Sequence, residues 1–148
     1  MWVPQAEYNY FLRNMPVLCV DLVVRDHSGK LLMLKRENQP AKGEWWFPGG
    51  RVLHGELRAS AAFRKLKEEC GLTAGQLKEW KTLDILLQNS EENYTSHAVS
   101  TLYLVSVSNT SVKLDRQSSQ ADWASPEEWK KKISSPIIFN LLNELNQL

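Results

Sequence analysis

Between Gly49 and Leu72 the chain sets Gly50, Glu56, Arg64, Leu66, Glu68, Glu69, Gly71 and Leu72 at fixed intervals. Glu68 and Glu69 carry the plainest chemistry. Both fall in the last turn of a predicted helix, where the helix dipole disfavours negative charge. Two adjacent carboxylates there need a compensating cation. Arg64 stands four residues before Glu68 and Lys65 four before Glu69, so one answer is a solvated helix face laced with ion pairs. The other answer is a site for a hard divalent cation. Magnesium takes a few carboxylate oxygens, backbone carbonyls and water, and accepts substrate phosphates as further ligands. Gly49-Gly50 would let backbone come close to the same ion or to a phosphate.

The elements that must position these groups can be read from periodicity. Leu57 to Cys70 is the clearest helix, with Ala59, Ala62, Phe63, Leu66 and Cys70 spaced as one buried face. That spacing predicts Glu68 and Glu69 on the face opposite Phe63 and Leu66. Gly71 follows as a C-terminal cap. Upstream, Val17 to Arg25 and Leu31 to Arg36 read as a hairpin around a turn at Asp26-His27-Ser28-Gly29. Glu37 to Gly43 is a polar loop, and Trp45-Trp46-Phe47 a short apolar stretch ending at Pro48. Downstream, Leu77 to Leu87 and Ala98 to Val107 read as long strands flanking a polar loop, Gln88 to Ser96, with Val112 to Leu114 as a further short strand. Ser125 caps a short helix that has Pro126 at its first position. Pro136 opens the last helix, with Ile137, Ile138, Leu141, Leu142 and Leu145 on its inner face. A short N-terminal helix carries Tyr8, Phe11 and Leu12. Mixed hairpins and helices give the class α/β (α+β), a mixed sheet covered by helices.

The 148 residues suit one domain, 1–148, without repeats or a long linker. Eighteen basic and seventeen acidic side chains leave a net charge of +1, too weak a field for a general nucleic-acid or membrane-surface binder. No apolar run is long enough to span a bilayer, and Met1 to Asn14 does not read as a secretory signal. Cys19 and Cys70 sit among apolar residues and read as two reduced core thiols, which points to the cytoplasm.

The spacing decides between ion pairs and a cation site. The stretch Gly50 to Leu72 resembles the Nudix box: Gly, five residues, Glu, seven residues, Arg-Glu-aliphatic, one residue, Glu-Glu, one residue, Gly-aliphatic. Every specified position matches except Lys65, where the family usually has Glu. An accidental match this good is of order one in ten million per window from average residue usage. The resemblance implies the Nudix fold, with the box as loop-helix-loop, and a magnesium-dependent hydrolase, manganese being the alternative ion. In several Nudix pyrophosphatases the Glu replaced here deprotonates the attacking water or adds to the metal cluster. The resemblance therefore implies a site without the usual box base and with fewer ions. It makes Gly49, Glu68 and Glu69 metal ligands, and leaves Gly50, Glu56, Arg64 and Gly71 to brace the box.

Flanking residues sharpen the likeness. Met15 to Asp21, Leu34 to Gly43 and Trp46 to Val52 look like the GDP-mannose mannosyl hydrolase branch, which also departs from the box at the position of Lys65. In that branch water attacks the sugar's anomeric carbon and the nucleoside diphosphate leaves. Charge builds on the diphosphate, so magnesium and arginines should hold it. By resemblance Arg36 and Arg51 take that catalytic and binding role, Asp21 helps bind substrate, and Gln117 adds a metal ligand. A homodimer, with the N-terminal helix exchanged between subunits, is implied as well. From the residues alone, Arg36 is equally a plain charge at a strand end, whereas Asp21 in an apolar strand needs a partner.

The branch has a histidine base after the Gln, but here Ser118 follows Gln117, and serine is a poor base near pH 7. Glu91 and Glu92, in the polar loop, are the candidate replacements, and Glu92 joins Glu68 as a catalytic candidate. His27 reads as exposed, His97 as structural, and His54 as near the expected metal. Trp2, Tyr8, Tyr10, Trp45, Trp46 and Tyr94 are the aromatics available to stack on a nucleobase. Three readings stay open: a nucleotide-sugar hydrolase, a P–O-cleaving pyrophosphohydrolase of a nucleoside triphosphate or dinucleotide, and a catalytically weak nucleotide-binding module.

Overall fold

Nine consecutive residues near the N-terminus pair in parallel with nine from the chain's last third, and this pairing forms the centre of the molecule. The computed structural model describes residues 3–148. In chain order the elements are α1 (Gln5–Asn14), β1 (Val17–Arg25), β2 (Leu31–Arg36), β3 (Trp45–Trp46), β4 (Gly49–Arg51), α2 (Arg58–Cys70), β5 (Leu77–Asn89), β6 (Tyr94–Ser106), β7 (Ser118–Ala124), α3 (Pro126–Lys132) and α4 (Pro136–Leu145). β1 runs parallel to β6 from Val17 opposite Ala98 to Arg25 opposite Ser106. The sheet runs β3-β2-β1-β6-β5, with β4 added beside β1 and β7 beside β2.

Both faces of the sheet are covered. Val20, Leu22 and Val24 of β1 pack with Leu32 and Leu34 against Ala61, Ala62, Leu66 and Cys70 of α2. On the opposite face Val23, Leu31 and Met33 meet Trp129 of α3 and Ile138, Leu141, Leu142 and Leu145 of α4. Burial on both sides explains why β1 reads as an apolar run interrupted only by Asp21 before its final Arg25. The mixed sheet between helices is therefore as the sequence predicts. Ser125 accepts from the Glu128 amide while Glu128 reaches back to the Ser125 amide, a full capping box. Gly71 ends α2 in the left-handed conformation at φ 66°.

The hairpin of β1 and β2 closes only at Arg25 opposite Leu31. Beyond that pair the strands part, and β4 fills the space beside β1, with Gly49 opposite Asp21 and Arg51 opposite Cys19. This divergence opens the candidate site.

Four expectations need correction. The inner face of α2 is Ala61, Ala62, Lys65, Leu66, Glu69 and Cys70; Ala59 is exposed and Phe63 is 40% exposed. Lys65 and Glu69 turn inward because each neutralises the other, which apolar periodicity cannot register. Val112 to Leu114 is irregular chain, and Lys113 N–H instead donates to the Cys70 carbonyl at 2.9 Å, satisfying a helix end. The expected loop Gln88 to Ser96 is mostly strand, since β5 and β6 pair from Leu77 opposite Val105 to Asn89 opposite Tyr94. Strand β7 was not expected at all. Its sequence is polar, and it is held by antiparallel pairing to β2.

Candidate active site

Where β1 and β2 part, a cleft of about 670 Å³ opens, a size suited to a nucleotide-sized ligand. Its floor is the tight β4–β1 contact. A side chain at Gly49 would place its first carbon 2.2 Å from the Val20 carbonyl oxygen and 2.8 Å from Asp21 Oδ1, so only glycine fits. The Gly49 amide donates to Glu69 Oε2 at 3.0 Å, which fixes the last turn of α2 against that floor. Burial pushes the Glu69 carboxyl up, against the pull of Lys65 and the Gly49 amide.

One turn of α2 away, the loop of the motif is braced to the helix. Arg64 donates from Nε to Glu56 Oε1 at 2.7 Å and from Nη2 to Glu56 Oε2 at 2.8 Å. The same guanidinium reaches the Arg51 carbonyl at 2.9 Å, and the Leu53 amide donates to Glu56. Hydrogen bonds from Arg64 hold the Glu56 carboxyl down to about 2. Such a fork is the geometry in which arginine outperforms lysine.

Asp21 lies at the bottom of the cleft, accepting from the Ser100 hydroxyl. Burial pushes its carboxyl up to about 6, although Ser100 and the nearby Arg36 charge pull the other way. Arg36 and Arg51 both line the cleft. Arg36 is oriented by its Nε donating to the Pro40 carbonyl at 2.8 Å, and Arg51 lies over the Tyr8 ring at 4.4 Å. Gln117 enters from the chain before β7, its amide and side chain held by Asp115. Glu92 completes the rim, paired with Arg13 at 2.9 Å.

A NUDIX domain model matches residues 15–143. The chain belongs to the Nudix hydrolase family. Nudix hydrolases act on small-molecule nucleotide substrates and generally use divalent metal ions. This Nudix chain is 34% identical over 120 residues to the low-salt glycan biosynthesis protein Agl8 of Haloferax volcanii, covering 80% of this chain and 76% of that protein. It is 29% identical over 114 residues to an ADP-ribose pyrophosphatase of Methanocaldococcus jannaschii, covering 77% of this chain and 64% of that one. Among solved structures, the NUDIX domain of Shewanella oneidensis NrtR, crystallised with ADP ribose, superposes with a TM-score of 0.75 at 19% identity. Each chain is covered to 98%, a likeness of fold.

Within the Nudix frame, the cleft gathers Gly49, Glu69, Gln117, Asp21, Arg36, Arg51 and Glu92. Glu68 stands apart: half exposed, it accepts from Arg64 at 3.1 Å and does not line the cleft. Gly50, Glu56, Arg64 and Gly71 sit in the box around it. Of the aromatics, Tyr8, Trp46 and Tyr94 line the cleft, whereas Trp45 packs on Trp129 and Tyr10 faces solvent. Trp2 lies outside the described residues.

Several cleft groups escape a sequence reading. Cys19 lines the cleft instead of the core, its thiol pushed up to about 12 by burial. His97 also lines it, with Nε2 3.0 Å from Asp84 Oδ1, while His27 and His54 are exposed elsewhere. The β5–β6 register puts His97 opposite Leu86, making Asp84 its diagonal neighbour. That signal was available only once the polar segment was read as hairpin. Asp115, which adds its charge beside Glu69, gave no signal.

The donor types suit at most one hard cation, and both Glu69 oxygens are already engaged, one by Lys65 and one by the Gly49 amide. Glu69 and Gln117 offer oxygens in the cleft beside Gly49, and magnesium completes such a set with phosphates and water. A cluster does not fit: Glu68 is turned to Arg64, and among the described residues no group of three His, Cys, Asp or Glu side chains is arranged to hold an ion.

Proposed function

We propose that this chain is a magnesium-dependent hydrolase of a nucleotide sugar, of which GDP-mannose is the first to test. One observation supports the reading most: Arg36 and Arg51 converge on the same cleft as Glu69, Gly49 and Gln117. A nucleoside diphosphate leaving group carries its charge on oxygens that two guanidinium forks and one divalent ion suit. The ion, held by Gly49, Glu69 and Gln117, supplies charge neutralisation on the diphosphate when bound. Arg36 and Arg51 bind and orient the phosphates, Asp21 accepts hydrogen bonds from substrate hydroxyls, and Glu92 is the proton acceptor for the attacking water. Glu68, through Arg64, holds the box in shape rather than meeting the ion directly. The likeness to a glycan biosynthesis protein supports a sugar on the far side of the diphosphate.

A second reading, attack at phosphorus, is favoured by Ser118 in the place of the branch's histidine and by the likeness to an ADP-ribose pyrophosphatase. The two differ in where water enters. With magnesium, GDP-mannose and ¹⁸O-labelled water, label in free mannose means attack at carbon and supports the proposal. Label in GMP or mannose phosphate moves the chain to the pyrophosphohydrolases. No product with GDP-mannose rejects it as substrate.

We also propose a cytoplasmic homodimer. Two free thiols, Cys19 and Cys70, suit a reducing compartment. Helix α1 buries no side chain of its own and exposes Tyr10 and Phe11, with Met15 exposed at its C-cap, which suits a partner subunit. Light scattering tests the oligomer directly.

A further inference from the structure

At the position where the Nudix box usually carries Glu, Lys65 is turned inward under the cleft floor. Its ammonium lies 2.9 Å from Glu69 Oε1 and 3.6 Å from Glu68 Oε2. The Lys65 and Glu69 side chains are 7% and 6% exposed. Such a pair is not a surface decoration: a lysine desolvated this far needs its carboxylate, and the carboxylate needs it. The lysine stem is also accommodated by the backbone. A side chain at Gly50 would put its first carbon 2.5 Å from Lys65 Cε, so the glycine leaves room for the buried stem. The other Glu69 oxygen, Oε2, already accepts from the Gly49 amide. Arg64, the other nearby cation, is engaged with Glu56 and Glu68 and makes no bond to Glu69.

We propose that Lys65 is a built-in monovalent cation that takes the place of a divalent ion in this site. Resting on the metal-dependent reading above, it caps the site at one metal and weakens that metal's hold on Glu69. Three features converge on this assignment. The ammonium is bonded to the carboxylate that would ligate the metal. It occupies the sequence position from which a second carboxylate would enter. Glu68, the other carboxylate within reach of the ammonium, is turned to Arg64. The consequence is a fixed positive charge beneath the diphosphate subsite that neither dissociates nor depends on metal supply. A divalent ion sharing Glu69 must bind against that charge, or displace it.

The test counts ions, so it does not depend on knowing the substrate. Mn²⁺ alone is titrated into the purified protein and the free ion followed by electron paramagnetic resonance, for wild type, Lys65→Met and Lys65→Glu, with folding checked by circular dichroism. Removing a like charge beside a ligand should tighten binding about tenfold or more in Lys65→Met. Lys65→Glu should bind one ion more than wild type. If Lys65 only orients Glu69, Lys65→Met binds Mn²⁺ more weakly than wild type or equally, and the proposal is overturned. A folded Lys65→Glu protein with the wild-type ion count overturns it too. Should Lys65→Glu fail to fold, the direction of the Lys65→Met change decides alone. Failure of the metal-dependent reading looks different: no nucleotide is turned over with any divalent ion, whatever the Lys65 variants bind.

Discussion

Replacing Asp21 with Asn should change how stability responds to pH, and the size of the change follows from burial. The Asp21 carboxyl rises from 3.8 to about 6 in the folded chain, burial being the main cause. A raised folded value means the native state holds the proton more tightly than the unfolded state does. The associated stability is fully present below 3.8 and is lost as pH rises through about 6. Roughly two units correspond to about 3 kcal/mol in full, and about half of that falls between pH 5 and pH 8. Asn keeps an acceptor for the Ser100 hydroxyl but cannot ionise. Urea unfolding of both proteins in the presence of a chelator, at pH 5 and pH 8, isolates the effect because every other group titrates in both. The variant should gain on wild type by about 1.5 kcal/mol between those pH values, roughly 0.5–1.5 M in the urea midpoint. A wild-type-to-variant difference that stays constant across this range would refute the assignment of a desolvated, ionising carboxyl at the cleft bottom.

Other substitutions test the frame around it. Leu66→Ala should cost about 2–5 kcal/mol, whereas Phe63→Ala should stay within about 0.5 kcal/mol, measured by thermal or urea unfolding. Gly49→Ala should destabilise by about 1–3 kcal/mol, because backbone blocks its side chain, while Gly75→Ala meets nothing and should be near neutral. Glu56→Gln should cost about 1–3 kcal/mol at pH 7 by breaking the Arg64 fork. The Glu56 carboxyl lies below its usual value, so this contribution is present above 4.5 and lost as pH falls toward about 2; the variant and wild type should converge in acid melts.

What could be read from the chain alone tracks how local each cause is. Gly71 and Ser125 announce helix ends because caps act within a few residues, and both stand where the sequence puts them. The pairing of Glu56 with Arg64 was legible only through the motif resemblance, since nothing in the local sequence says that a loop carboxylate eight residues away meets that arginine. The face of α2 was misjudged because Lys65 and Glu69 are buried only as a pair, and hydropathy scores each as solvent-seeking. Strand β7 stayed hidden because SSQADWA has little apolar signal and takes its order from β2, far away in sequence. Gly49 and Glu69 line one cleft, but Glu68 turns outward to Arg64, a choice between two helix neighbours that spacing does not make.

The parallel pairing of β1 with β6 has a consequence for biogenesis. Val17 to Arg25 finds its long partner only when Ala98 to Ser106 has been made. As the ribosome extends the chain, the box helix can form early, since its contacts are local, but Asp21 lacks its Ser100 partner until β6 has been made, 79 residues later. During that interval the only strand partners of β1 are the single closing pair to β2 and the short β4 beside it. Nascent fragments ending before β6 should therefore expose that strand and recruit chaperones, and the cleft becomes competent to bind only after β6 and the chain around Gln117 have emerged.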